Sequence, residues 1–331
     1  MKVASTACLD STTIAMATPR LLTVAAIIAA ATATSTSPFF DADAVAIAVA
    51  ARAAGAGPAA TTTTASPSTP PNNSQPVTPP PDNGPGSWAL VWEDEFEGST
   101  LNASVWNVRQ NESHCSPCEP ELYLAERVAV GNGSLVITTA RDDVVGPGGA
   151  PYNWTSGWVD TNGKFSAQWG VFEASMKLPA RTAIGAWPAF WTLPATTACW
   201  PTQGEIDVFE YTANQLLNQV YGSYRWGTAC GDNQQVLPGA GYPPLGSNVT
   251  IDWGADFHVF GVAWNATTLS FAVDGVVYET VTSDHVILPT VPQYLILNTA
   301  IAWFWPPDAS AIYPAYLTVD WVRVFQFTPA S

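Results

Sequence analysis

Positive charge is what this sequence most lacks. Lys and Arg number 11 against 27 Asp and Glu in 331 residues, a formal net charge of −16. Nucleic acid and anionic membrane surfaces are recognised by basic patches, so this balance argues against both as partners. Charged residues of either sign make up only 11% of the chain, below the roughly 25% of an ordinary soluble domain. That composition suits a neutral or apolar partner. Histidine is scarce too, at His114, His258 and His285. With a single C-x2-C and no second pair, the chain has little from which to build a zinc site. There is no G-x-S-x-G, so a Ser-His-Asp hydrolase of the nucleophile-elbow type has no starting point. No internal repeat is present. Tryptophan is absent from residues 1–87, yet all 15 lie between Trp88 and Trp321. One aromatic-rich domain is therefore preceded by something of another kind.

That leading segment divides in two. Residues 21–33, LLTVAAIIAAATA, follow Arg20 and end in Ala31-Thr32-Ala33. The run is too short for a comfortable span of roughly 20 residues and matches the apolar core and cleavage site of a secretory signal. Residues 1–33 are accordingly expected to be a signal peptide. Translation from Met16 would place it closer to the start, and an uncleaved anchor is the alternative that would involve a membrane. Residues 34–87 are rich in Ala, Thr, Ser and Pro and read as a disordered stalk. Seven N-x-S/T sequons, at Asn72, Asn102, Asn111, Asn132, Asn153, Asn248 and Asn265, fit a secreted or wall-associated glycoprotein. Cys8 falls in the part expected to be removed, which leaves Cys115, Cys118, Cys199 and Cys230 with three possible pairings. Cys199 with Cys230 is favoured, and Cys115 with Cys118 after it.

Residues 88–331 carry period-two patterns and no convincing helix. In 171–178, Phe172, Ala174, Met176 and Leu178 alternate with Glu173, Ser175 and Lys177. In 269–274, Leu269, Phe271 and Val273 alternate with polar or small residues, and Asp274-Gly275 then supplies a hairpin turn before VVYETV. Near the C-terminus, Leu317, Val319 and Trp321 are expected on one face and Thr318, Asp320 and Val322 on the other. Many short strands in this length imply an all-β sandwich or barrel.

The most informative stretch is Gly204-Glu205-Ile206-Asp207-Val208-Phe209-Glu210-Tyr211. On a regular strand Glu205 and Asp207 share a face, whereas Glu210 falls on the other. One β-bulge between Asp207 and Glu210 brings the third acid round, with Ile206 and one of Val208 or Phe209 buried behind. Three like charges on one face repel one another, which serves a structural protein badly and a catalyst well. Retaining glycoside hydrolysis needs one carboxylate as nucleophile and one carboxyl as acid/base. An intervening Asp207 would keep a neighbour protonated. The competing readings are an acidic surface strand and a calcium site, although calcium takes 6–8 oxygens usually supplied by loops.

These residues resemble glycoside hydrolase family 16, in particular its laminarinase-like branch with the bulged signature E-[ILV]-D-x-x-E. The similarity runs through roughly residues 88–327. It takes in VWEDEF (91–96), GSLVITTA (133–140), GAWPAFWTLP (185–194), CWPTQGEIDVFEY (199–211), DFHVFGVAW (256–264), YLILNTAI (294–301) and VDWVRVFQ (319–326). The resemblance implies a concanavalin-like β-jelly roll of two curved antiparallel sheets with an open concave cleft. It also implies a retaining, endo-acting double displacement on a β-glucan such as laminarin, without a catalytic cofactor. Glu205 then corresponds to the nucleophile, Glu210 to the acid/base and Asp207 to the helper between them. Trp187 and Trp191 correspond to cleft aromatics, and Trp200 stands just before the catalytic strand. A flat indole suits the apolar face of a sugar ring, although any one Trp taken alone reads first as core.

Departures from the pattern concern the substrate rim. Arg225 stands where laminarinases commonly carry His, and it would pair with a catalytic carboxylate or donate to sugar hydroxyls. Trp158 replaces the Arg of Ser-Gly-Arg, Pro120 replaces the Asn of Asn-Glu-Leu, and Ala300-Ile301-Ala302-Trp303 replaces Ala-x-Gly-Gly. The resemblance also implies a structural calcium, with Glu95 and Asp320 in the motifs that hold it; otherwise both are solvated or cap a turn. A monomer is expected. Two further functions compete: a transglycosylase remodelling the producer's own wall, and a non-catalytic glucan-binding lectin on the same fold.

Overall fold

A computed structural model describes residues 75–330, except 115–118, 214–217, 237–240, 245–248 and 285. Cys115, Cys118 and His285, the sequons at Asn72 and Asn248, the apolar run at 21–33 and most of the expected stalk lie outside the described residues. Among the described residues the chain forms strands and two short 3₁₀ turns. In chain order the strands are β1 (Gly86–Asp94), β2 (Asn107–Val108), β3 (Glu121–Tyr123), β4 (Val128–Gly131), β5 (Ser134–Val145) and β6 (Pro151–Ser156). There follow β7 (Trp158–Asp160), β8 (Gly170–Lys177), β9 (Ala186–Pro194), β10 (Glu205–Tyr211), β11 (Val220–Trp226) and β12 (Gln234–Val236). The last are β13 (His258–Trp264), β14 (Thr268–Val273), β15 (Val276–Thr282), β16 (Gln293–Ile301) and β17 (Ala315–Pro329).

They assemble into two sheets, as a jelly-roll sandwich requires. One runs β15-β14-β13-β8-β17-β5-β6-β3, with β1 alongside β17 and β4 alongside β5; the other runs β12-β11-β10-β9-β16-β7-β2. Alternation explains why the faces meet. Phe172, Ala174 and Met176 of β8 and Phe260 and Val262 of β13 project inward from the first sheet. Phe190 of β9, Phe209 of β10 and Leu295 and Leu297 of β16 project from the second into the same core. The rings of Phe209 and Phe260 meet across the layers at 4.4 Å. Each of these buried Phe, Met, Val and Leu side chains is worth about 1.5–3 kcal/mol. Asp274 and Gly275 both take positive φ, at 49° and 77°, and join β14 to β15 as the type I′ signal predicts.

Two expectations change. The C-terminal alternation is interrupted by an irregularity between Val319 and Trp321. Leu317 and Val319 enter the core, but Val322 and Val324 follow them there, and Trp321 lies beneath the Arg323 guanidinium at 4.0 Å instead. A bulge inverts every later side chain, which a strict period of two misses. Packing also begins before Trp88. The backbone N–H groups of Val77 and Thr78 donate to the Glu173 carboxylate at 3.1 and 2.8 Å, and Thr78 is fully buried.

Candidate active site

The second sheet turns one face to the core and the other outward, and β10 stands between β9 and β11. Its register against β11 shifts between Asp207 and Glu210, where Val208 and Phe209 both face Gly222. This is the bulge that the acid spacing demands. One point is corrected: both Val208 and Phe209 enter the core, not one of them. Opposite them, the missing side chain of Gly222 leaves room for Phe271. A Cβ there would lie 2.4 Å from Cδ1 of Phe271, a ring from the opposite sheet.

The consequence is that Glu205, Asp207 and Glu210 share the outer face, and each is held by a different donor. The Trp200 indole N–H donates to Glu205 Oε2 at 2.6 Å. The Trp187 indole N–H donates to Glu210 Oε1 at 3.0 Å. Asp207 accepts from the Ser223 hydroxyl. Arg225 stands 6% exposed, with Nε 3.3 Å from Glu205 Oε1 and 3.5 Å from Asp207 Oδ2. Both of these β11 residues follow from register, since Ser223 pairs with Asp207 and Arg225 with Glu205.

Burial pushes all three carboxyls above their ordinary range. For Glu205 burial is followed by repulsion from Asp207, with Arg225 and Trp200 opposing. Asp207 is raised by burial against Arg225, Ser223 and a hydrogen bond with Glu205. Glu210 is pushed up to about 8 by burial and then by Asp207, with Arg225 and the Trp187 N–H opposing. Glu205 and Asp207 therefore titrate as a pair beside one guanidinium. Glu210 lies outside that ion pair, and its raised value of about 8 favours the protonated form that a general acid needs. Such an arrangement can present one negative charge and one acidic proton to the same bond.

The remaining predicted residues divide. Trp187 and Trp200 are half-buried, with part of each ring exposed. Trp191 pairs in register with Asp207 and is 8% exposed, with its N–H donated to Asn298 Oδ1 at 2.8 Å. Trp158 is not a platform. It is 1% exposed, its face is covered by Arg109 at 3.7 Å, and Tyr123 and Trp191 close on it edge-on. Below this floor lies a network the sequence reading missed. Asn298 donates to the Tyr123 hydroxyl at 3.2 Å, and that hydroxyl reaches Glu121 Oε1 at 2.8 Å. The backbone N–H of Ile301 donates to Glu121 Oε2 at 3.0 Å. Burial and neighbouring Glu119 push Glu121 well up. Three consecutive buried residues, Glu121 to Tyr123, carry no periodic signal that would have exposed the network.

Cys199 and Cys230 form a disulfide as expected, next to Trp200. The calcium expectation fits poorly. Both Glu95 carboxylate oxygens accept from Arg323, at 2.8 and 3.0 Å, so a guanidinium already holds the charge a cation would meet. Asp320 approaches Ser175 at 3.5 Å. Among the described residues no group of three or more His, Cys, Asp or Glu is arranged to hold a metal.

Comparison with known proteins agrees with this geometry. Residues 122–323 match the family model described as glycosyl hydrolases family 16. The chain is 34% identical over 205 residues to a glucan endo-1,3-beta-glucosidase of Cryptopygus antarcticus, covering 59% of this chain and 70% of that one. It is 30% identical over 252 residues to the clotting factor G alpha subunit of Tachypleus tridentatus, covering 74% of this chain but only 35% of that longer protein. Among solved structures, the endo-beta-1,3-glucanase from Pyrococcus furiosus superposes with a TM-score of 0.66 at 30% identity, over 77% of this chain and all of that one.

Proposed function

This chain belongs to glycosyl hydrolases family 16, and from that premise we propose that it is a retaining, endo-acting β-1,3-glucanase on laminarin-like glucan. The observation that carries the reading is the bulged strand β10, which gathers Glu205, Asp207 and Glu210 on one face with separate partners. In the proposed reaction Glu205 attacks the anomeric carbon, and Glu210 gives its proton to the departing glycosidic oxygen. A covalent glycosyl-enzyme forms as the chain is cut. Glu210, now ionised, takes a proton from water, whose oxygen displaces Glu205 and restores the anomeric configuration. Asp207 shares one charge and one proton with Glu205, so the nucleophile ionises without a second net charge developing beside it. Arg225 stabilises that single charge, and the two indole N–H groups hold the reacting oxygens in place. No metal or organic cofactor enters the sequence of steps.

The rim favours a neutral polysaccharide, recognised by ring stacking and hydroxyl contacts. We further propose a secreted glycoprotein, supported by the apolar run at 21–33, the disulfide between Cys199 and Cys230, and sequons at Asn102, Asn111, Asn132 and Asn153 that are exposed.

Reducing-sugar release from laminarin, mixed-linkage glucan, agarose and carrageenan tests the assignment. Release from laminarin above the others is expected, with loss in the Glu205→Ala variant. A wild-type protein that binds laminarin and releases nothing would instead be a lectin. Products longer than a supplied laminari-oligosaccharide would make it a transglycosylase.

A further inference from the structure

The loop that follows β16, residues 302–307, reads Ala-Trp-Phe-Trp-Pro-Pro. It is tied by backbone bonds to the turn before β9 and, through that turn, to the segment that follows β10. The N–H of Ala302 donates to Gly185 O at 2.9 Å, and the N–H of Gly185 donates to Ala213 O at 3.0 Å. Ala213 lies three residues beyond Glu210. Gly185 takes φ +86°, and a Cβ there would lie 2.6 Å from Pro307, so the loop seats against bare backbone. The Tyr313 hydroxyl pins the same turn by donating to Ile184 O at 2.9 Å.

This seating sets a row of rings beside the acid. Phe304 meets Trp187 edge-to-face, with centroids 5.0 Å apart and planes at 81°. Trp303 meets Phe304 likewise, at 5.6 Å and 85°. Trp187 is the residue whose N–H holds Glu210. All three rings are half-buried, so each packs on one side and presents surface on another. A loop needed only to close the core would bury such rings; here an unbroken chain of ring contacts leads from Trp303 through Phe304 to Trp187 and so to Glu210.

We infer that Trp303 and Phe304 form an additional sugar-binding wall contiguous with Trp187, which takes the glucan chain beyond the residues flanking the cleaved bond. The inference rests on the proposed glucanase reading and specifies how far its cleft reaches. The occupant is the β-linked polysaccharide itself, because the wall adjoins the site that would cut it. Stacking on an indole or phenyl face selects a pyranose by its apolar C–H surface without need of charge. The ring contacts of the pair lead to Trp187, so the wall is expected to act on binding of long chains rather than on chemistry.

The test compares laminarihexaose with laminaritriose for wild type and for Trp303→Ala, Phe304→Ala and Trp303→Phe. Each alanine variant is expected to lose about 3- to 10-fold in kcat/KM on the hexaose, mostly through KM, the range of one aromatic contact. On the triose the change is expected to stay within about twofold, and Trp303→Phe should retain most of the hexaose activity. Equal losses on both sugars, or an unchanged preference for the hexaose, overturn the wall while leaving the glucanase reading intact. Wild type inactive on laminarin and on both oligosaccharides overturns the glucanase reading and this inference with it.

Discussion

Trp187 donates its indole N–H to Glu210 Oε1 at 3.0 Å, so the indole that stands in the cleft also steers the proposed acid. Trp200 does the same for Glu205. A tryptophan at either position supplies a ring face and a directed donor together, and phenylalanine supplies only the first. Trp187→Phe removes a bond that favours the ionised carboxylate. Glu210 should therefore titrate above its value of about 8, moving the basic limb of the kcat/KM profile to higher pH. Trp200→Phe should move the acid limb upward, because Glu205 loses support for its charge. Each variant is expected to lose roughly 10- to 100-fold in kcat, the worth of a hydrogen bond to a charged group. Full pH–rate profiles of the two variants check both directions.

Arg225 is the cation of the site, 3.3 Å from Glu205 and 3.5 Å from Asp207. Its removal in Arg225→Gln leaves buried carboxyls without a counter-charge, and their proton affinity rises. The acid limb of kcat/KM should shift to higher pH, and activity at pH 6 should fall more than at pH 8. Arg225→Lys keeps the charge but not the planar fork, so it should restore the limb in part. An unmoved acid limb in Arg225→Gln would remove Arg225 from the charge balance.

Gly222 sits opposite the bulge. Gly222→Ala places a methyl group 2.4 Å from Cδ1 of Phe271, a ring locked in the core. Overpacking of this kind costs about 1–3 kcal/mol, and the strain falls on the segment that turns Glu210 outward. Thermal unfolding should show a lowered Tm, with activity reduced below that expected from the folded fraction alone.

Glu121 provides a stability test that is independent of catalysis. Burial raises its folded-state pKa well above the ordinary 4.5. The native chain thus retains a proton that the unfolded chain releases. Its contribution is fully present below about pH 4.5 and is lost as pH rises through the folded pKa. Glu121→Gln keeps the shape without the titration and should flatten this part of the stability curve, gaining on wild type as pH rises. Urea midpoints at pH 5, 7 and 9 measure it.

Legibility in the sequence followed physical locality. The hairpin at Asp274-Gly275 and the core face of β8 depend on a few adjacent residues, and both were readable. The bulge in β10 was readable because three acids needed one face. Its second core residue was not, since Val208 and Phe209 are both apolar and strict alternation would send only one of them inward. Trp321 was misplaced because nothing local marks the irregularity at Val319. Trp158 matches a cleft position in its motif, but the face is covered by Arg109, 49 positions earlier and beyond any local window. The Glu121–Tyr123–Asn298–Trp191 network joins three strands that are distant in the chain, so no window of sequence contains it.

Every step of the proposed reaction depends on Glu205 being the nucleophile. A Glu210→Ala variant given a laminari-oligosaccharide with an activated leaving group no longer needs the acid for the first step, and it lacks the base for the second. Mass spectrometry of its peptides should find a covalent glycosyl adduct on the segment carrying Glu205, and the adduct should vanish in the variant that also carries Glu205→Gln. An adduct on any other residue, or leaving-group release with inverted product and no adduct, would contradict it.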